Sequence, residues 1–331
     1  MKLLVTQSFG RESEYRRVIL SILSFWALYT GDKNKIKTIL STDKPEYFAP
    51  YFEGILVEYI ILTPEKIKVM RGNIDFIHRM KIALIEEAFQ RYPGTDMLYM
   101  DSDTIFLKDP NKLLDSITGN ASFMHLVEFE YGAYKEFAAK GIGEANHTPF
   151  IKLLESKNFI TSKGEETFHS LTGWNAGVMG LPAKVADYMP DVYSLTDEFY
   201  TAAPLNGSEQ AAFSYILQTR TTLRDCEAYV YHYWGIFKKQ VIDSTLPKVI
   251  NKKLAKLSLS QRLLATKKLI TYVPLTIATH EEALHALNTN NFARGYAMAF
   301  KAMLMAPINS IFIRHLFYHV KRQVNRYFNL L

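Results

Sequence analysis

The chain has 331 residues, of which 48% are hydrophobic and 22% charged, a balance that excludes a disordered polymer and supplies one large domain plus an appendage. Its single cysteine, Cys226, excludes an internal disulfide framework. The opening ten residues hold too short an apolar run for a signal peptide, so a reducing cytoplasm is the expected compartment, where the glycosylation triplets at Asn120, Asn146 and Asn206 are chance matches.

In chain order, Lys2 to Thr6 reads as a strand. Tyr15, Val18, Ile19, Ile22, Leu23 and Trp26 recur at helical spacing between Glu12 and Tyr29. Strands are expected at Ile36 to Ser41 and Ile55 to Leu62, then a helix from about Asp75 to Arg91 closed by Pro93 and Gly94. Strands alternating with helices of this length imply α/β architecture, with a mixed, mostly parallel sheet flanked by helices. From about Glu128 to Ser170 the pattern gives way to mixed aromatic and charged segments, which suits an acceptor-binding wall. The sheet resumes at Gly173 to Pro182 and again at Ala228 to Tyr233. Beyond Pro247 the pattern is mainly helical, with one further strand expected at Leu269 to Ile277.

Between Leu98 and Asp109 a buried-strand pattern ends on Asp101 and Asp103 and then resumes. Residues i and i+2 of an extended segment share a face, so both carboxylates can meet one divalent ion. An Asp-x-Asp triplet at a surface turn usually means nothing more than a solvated strand end. Here apolar residues on both sides make the acids costly without a counter-ion, and ligands of open α/β sheets bind at the carboxyl ends of strands. Three later segments stand out beside this pair: the small-residue turn Asn175-Ala176-Gly177, the helix start Ser208-Glu209-Gln210, and His232-Tyr233-Trp234-Gly235-Ile236-Phe237-Lys238.

In this order and spacing, residues 1–246 resemble the GT-A glycosyltransferases, in particular glycosyltransferase family 8, which includes lipopolysaccharide galactosyltransferases and glycogenins. The resemblance implies a nucleotide-diphospho-sugar transferase fold. It also implies that Asp101, Asp103 and His232 ligate Mn²⁺ or Mg²⁺, which holds the diphosphate of a nucleotide sugar, usually UDP-linked. Lys238 falls where that family's phosphate-binding lysine does. Ser102, Asn175, Ala176 and Gly235 belong to the donor-binding motifs; Arg79 and Lys81 lie on the helix used to reach donor sugar or phosphate, and Thr6 and Gln7 lie near base and ribose. Glu209 and Gln210 would face the reacting carbon, standing where the pattern usually has Asp-Gln. Lys238-Lys239-Gln240 stands where it usually has Lys-Pro-Trp. The implied activity is hexosyl transfer, with retention, to a saccharide or glycolipid in surface polysaccharide or lipopolysaccharide synthesis.

Two alternatives stand beside it. A sugar-nucleotide nucleotidyltransferase would carry a basic glycine-rich loop near its start, of which Phe9-Gly10-Arg11 is a poor version. A non-catalytic nucleotide- or carbohydrate-binding protein at the membrane would keep the fold and lose turnover.

The net charge of +6 is unevenly divided. Residues 247–331 hold 13 Lys and Arg against Glu281 and Glu282, whereas residues 1–246 hold 26 basic and 31 acidic. The basic region interleaves Phe300, Leu304, Phe317 and Tyr318 with Lys301, Lys321, Arg322 and Arg326, a pattern that suits the interface of an anionic membrane at about 1 kcal/mol per basic residue. Peripheral attachment to the inner face of the cytoplasmic membrane is therefore expected, with a helical subdomain packed on the sheet as the other reading. Nucleic-acid recognition motifs are absent from the sequence.

Overall fold

The structure is a computed structural model, and it describes residues 1–130, 147–168, 172–306 and 309–328. The first half runs β1 (Lys2–Ser8), α1 (Glu12–Leu28), β2 (Ile36–Thr42), α2 (Pro45–Phe52), β3 (Val57–Ile61), α3 (Pro64–Arg71), α4 (Arg79–Arg91), β4 (Met97–Met100), β5 (Thr104–Phe106), α5 (Asn111–Ser116), β6 (Ala121–Met124) and β7 (Val127–Glu130). After residues 131–146 come α6 (His147–Ser156), β8 (Phe159–Thr161), β9 (Gly164–Glu166), β10 (Thr172–Trp174), β11 (Val178–Leu181), α7 (Met189–Ala202), α8 (Ser208–Arg220), β12 (Thr222–Asp225) and β13 (Val230–His232). The remainder is helical: α9 (Ile236–Asp243), α10 (Leu246–Val249), α11 (Lys252–Ala255), α12 (Leu259–Asn288), α13 (Phe292–Met305) and α14 (Ser310–Phe328). Part of the expected acceptor wall, residues 131–146 and 169–170, lies outside the described residues.

Seven strands form one sheet in the order β12-β6-β11-β4-β1-β2-β3. Neighbours are parallel except at β11, which runs antiparallel to both β4 and β6. The chain therefore steps from β1 to β2 and β3 on one side, then crosses to β4 on the other. That reversal opens a crevice between the carboxyl ends of β1 and β4. Because β11 is antiparallel, its amino end lies at the same edge.

Both faces of the sheet are covered, as the period-2 burial of its strands requires. Leu4, Leu40, Leu98 and Met100 pack with α1 on one face, while Leu3, Val5, Ile39, Met97 and Tyr99 pack with α4, α7 and α8 on the other.

The expected strand at Leu269 to Ile277 is instead the middle of α12. Its β-branched run suggests a strand, but Leu269, Ile270, Val273 and Ile277 share one helical face and bury against the α1 core. A capping box between Ser258 and Gln261 starts this helix, and Arg262 in its first turn is fully buried. The Arg262 guanidinium donates to the carbonyl oxygens of Pro50 and Glu53 at the end of α2, and the helices after residue 247 share the core of the sheet's α1 face. Replacing Arg262 with Met leaves both carbonyls unpaired, and we expect a loss of about 1–3 kcal/mol in urea unfolding; an unchanged midpoint would contradict this role.

Candidate functional site

Three strand ends meet at the crevice. β4 stops at Met100, and Asp101 is held by its backbone N–H donating to the Gly177 carbonyl at 2.7 Å, continuing the β4–β11 ladder by one bond. The Thr104 hydroxyl caps the turn by donating to the Asp101 carbonyl at 2.8 Å. β13 pairs antiparallel with β5, opposing His232 to Thr104, and the Tyr233 N–H donates to the Asp103 carbonyl at 3.0 Å. Residues more than 120 positions apart are thereby fixed by backbone pairing: ligand atoms of Asp101, Asp103 and His232 lie within 4.8 Å of one another.

The histidine is oriented by Asn175. Asn175 Oδ1 accepts from the Gly177 N–H at 2.9 Å, which fixes the amide, so His232 Nδ1, 2.8 Å from the same oxygen, is the donor. In the neutral ring Nε2 then carries the lone pair, and it faces Asp103 Oδ1 at 3.3 Å. A hydrogen-bonded Nδ1 with a free Nε2 is the tautomer that binds metal. Gly177 makes room for this ring, since a Cβ there would lie 2.0 Å from His232 Cε1. Two carboxylates and one imidazole suit a divalent ion of the manganese or magnesium kind, the imidazole tilting the set toward the transition metal.

A second charged group sits beneath the acids. Lys81, on α4, is 4% exposed and reaches Asp101 Oδ2 at 3.3 Å, Glu209 Oε1 at 3.2 Å and the Ala176 carbonyl at 3.2 Å. Burial opposes its charge, but Asp101 and Glu209 outweigh it and raise the ammonium's pKa above its ordinary value. Glu209 is itself buried, and its Oε2 finds no protein hydrogen-bond partner among the described residues. Burial also works against charge on Asp103, yet His232 and Lys239 hold its carboxyl well below the usual range. The Tyr99 hydroxyl donates to Asp101 Oδ1 at 2.7 Å.

These groups line a cleft of about 1320 Å³. Of the residues singled out in the sequence, Gln7, Lys81, Asp101, Ser102, Asp103, Asn175, Glu209, Gln210, His232 and Gly235 line it. Gln7 Oε1 and the hydroxyl of Ser8 are buried there without partners among the described residues. Gln210 braces the wall, its Oε1 accepting from the Ala176 N–H at 3.1 Å and its Nε2 donating to Glu128 at 2.7 Å.

Thr6, Ala176, Arg79 and Lys238 are not cleft-lining side chains. Thr6 is buried in the sheet, and Ala176 contributes backbone groups alone. Arg79 turns to α7, pairing with Asp197 at 2.7 Å over the Tyr193 ring, because it lies two residues, about 200° of helix, from Lys81. Lys238 reaches toward Glu281 at 3.6 Å over the rings of Tyr231 and Trp234.

Its neighbour Lys239 faces the cleft instead and meets Asp103 Oδ2 at 2.7 Å. Glu14, Glu128 and Lys239 are site residues that sequence reasoning missed. Glu14 accepts from the Ser102 hydroxyl at 2.8 Å, and Glu128 accepts from Asn175 at 2.7 Å.

No family model matches the sequence, and no curated protein matches it. Among solved structures, the chain is similar to the galactosyltransferase LgtC in complex with donor and acceptor sugar analogues, at 12% identity and TM-score 0.46 over 80% of this chain and 95% of that one. Mouse xyloside xylosyltransferase 1 in its apo form is similar at 10% identity and TM-score 0.44, over 68% and 84%. The bifunctional glycosyltransferase WbbM is similar at 13% identity and TM-score 0.44, over 81% and 44%.

His125 lies behind the metal-type cluster, its ring 5.5 Å from that of His232, with Nε2 donating to the Val230 carbonyl at 2.9 Å. Burial, with His232 beside it, pushes its pKa down to about 4 from 6.5. The unfolded chain binds a proton at His125 below about 6.5 that the folded chain refuses until about 4. Stability from this group is therefore complete above pH 6.5 and falls as pH drops toward 4, by about 1–3 kcal/mol. We expect His125→Phe to flatten that slope in unfolding measured across the same window; an unchanged slope would assign it elsewhere.

Proposed function

We propose that the protein is a metal-dependent glycosyltransferase of GT-A type. It would move a sugar from a UDP-linked donor, with retention, to a saccharide or glycolipid acceptor in surface polysaccharide or lipopolysaccharide synthesis. The observation that carries the reading is the convergence of Asp101, Asp103 and His232 at the switch point of the sheet, beside a cleft large enough for two substrates.

In this reading Asp101, Asp103 and His232 would hold Mn²⁺ or Mg²⁺, and a Lewis acid bound there would neutralise charge on the departing diphosphate. Gln7 and Ser8, with unfilled buried polar atoms at the end of β1, recognise the nucleoside. Lys81 pairs with Asp101 and Glu209 and fixes both, so that Glu209 presents to the sugar its Oε2, which has no partner among the described residues. A carboxylate there stabilises positive charge growing at the anomeric carbon. The leaving phosphate oxygen takes the acceptor's proton on the same face, which accounts for retention without a separate base. Ser102, Asn175, Ala176 and Gly235 shape the donor pocket through backbone groups and short side chains.

The C-terminal helices support a second part of the proposal, peripheral attachment to an anionic membrane. No helix among the described residues is long and apolar enough to cross a bilayer. On α13, Phe300 and Leu304 are about 70% exposed beside Lys301, and on α14 Phe317, Val320 and Val324 form an exposed stripe at helical spacing flanked by Arg314 and Lys321. The two helices pack through Ala299, Ala302, Phe312 and Leu316, with the Tyr296 hydroxyl donating to Gln323 at 2.8 Å. Apolar side chains interleaved with cations fit a lipid headgroup layer.

A screen of UDP-sugars with and without Mn²⁺ tests the catalytic reading. We expect hydrolysis or transfer from one donor, an axial or equatorial anomer conserved in the first-formed product by NMR, and loss of turnover by more than about 1000-fold in Asp103→Ala. Turnover that survives in this variant would refute the metal site. For the membrane reading, full-length protein should float with liposomes rich in anionic lipid at low salt and stay behind with neutral ones; recovery in the soluble fraction from both would remove it.

A further inference from the structure

The cation site of the proposed function is already neutralised by the protein's own groups. Asp101 Oδ1 accepts from the Tyr99 hydroxyl and Oδ2 from Lys81. Asp103 Oδ1 faces His232 Nε2, and Oδ2 is paired with Lys239 Nζ at 2.7 Å. Three of the four carboxylate oxygens thus have protein donors, and a divalent ion drawn to both acids meets two ammonium groups already in place.

The two lysines are not equally free to yield. Lys81 is buried among Asp101, Glu209 and the Ala176 carbonyl, so its departure would strand the buried Glu209 carboxylate and leave Asp101 without its cation. Lys239 projects from α9 at the cleft rim with its side chain 31% exposed, and Asp103 is its ion-pair partner. An ammonium at 2.7 Å from Asp103 Oδ2 stands beside the position between Asp101, Asp103 and His232 and opposes a divalent ion there by repulsion.

We propose, building on the catalytic reading above, that Lys239 is a tethered counter-ion. It occupies the cation position on Asp103 in the free protein, gives way to the divalent ion, and carries its ammonium to the diphosphate that arrives with that ion. The exchange has a distinctive sign. Lys239 opposes binding of the ion alone, because two cations compete for one carboxylate, and favours nucleotide once the ion is in place, because phosphate offers the displaced ammonium a new partner. A merely structural ion pair would weaken both steps when removed.

Calorimetry on the full chain separates these cases: Mn²⁺ alone is titrated into wild type, Lys239→Met and Lys239→Arg, and UDP is then titrated at saturating Mn²⁺. We expect Lys239→Met to bind Mn²⁺ roughly ten- to a hundredfold more tightly and UDP roughly tenfold more weakly, with Lys239→Arg close to wild type in both. Thermal melting of each variant checks that it is folded. Equal or weaker Mn²⁺ binding by folded Lys239→Met, while wild type binds the ion, overturns the counter-ion proposal and leaves the metal site standing. Binding of UDP with no Mn²⁺ uptake by any of the three proteins overturns both.

Discussion

Negative charge at the end of a buried strand governs this site. Asp101 and Asp103 sit where apolar β4 and β5 meet, and Asp103 is nearly inaccessible to water. Ionised carboxylates in such surroundings need compensation close by. The protein supplies it with Lys81 from α4 and Lys239 from α9, and sets His232 from β13 beside Asp103. Each comes from a different element, so the acids act as the node on which helices from both faces and the far end of the chain are registered. Chemistry and folding draw on the same ion pairs.

Backbone topology makes that convergence precise. The antiparallel insertion of β11 carries Asn175, Ala176 and Gly177 to the carboxyl end of β4, where a parallel strand would have sent them to the opposite edge. Asn175 then links three partners through one amide, accepting from Gly177 and His232 while donating to Glu128. A flipped amide would set its NH2 against the Gly177 N–H and its oxygen against the Glu128 carboxylate, so the tautomer of His232 follows from the turn itself. The absence of a side chain at Gly177 is equally a part of the site, because the imidazole occupies the space a Cβ would need.

Much of this was legible in the residues. Strand-helix alternation gave the α/β class, and the Asp-x-Asp break in an apolar run located the crevice, because both depend on local pattern. Helix phase and tertiary partners were not legible. Arg79 and Lys81 look equivalent in sequence, yet about half a turn of α4 sends them to Asp197 and to the acids of the cleft respectively. The middle of α12 reads as a strand from its β-branched residues, whereas the capping box at Ser258 and Gln261 was the better signal, since it sets a helix start from which Leu269, Ile270, Val273 and Ile277 fall on one face. Glu14 and Glu128 carry no motif and become site residues through pairing with Ser102 and Asn175 alone.

The same phase argument explains why α9 matters beyond its single cleft-facing lysine. Phe237, Lys238 and Lys239 are consecutive, and a rotation of about 100° per residue sends them to three different partners. Phe237 packs into the cluster formed by Ala299, Ala302 and Phe312 of the C-terminal helices, Lys238 reaches toward Glu281 of α12, and Lys239 pairs with Asp103. Trp234 and Ile236, just before them, are exposed at the cleft rim. One short helix therefore joins the rim of the cleft, the acids at its base and the basic helices beyond residue 247. The C-terminal region and the cleft therefore share α9 as a common packed element, held on each side by side-chain contacts.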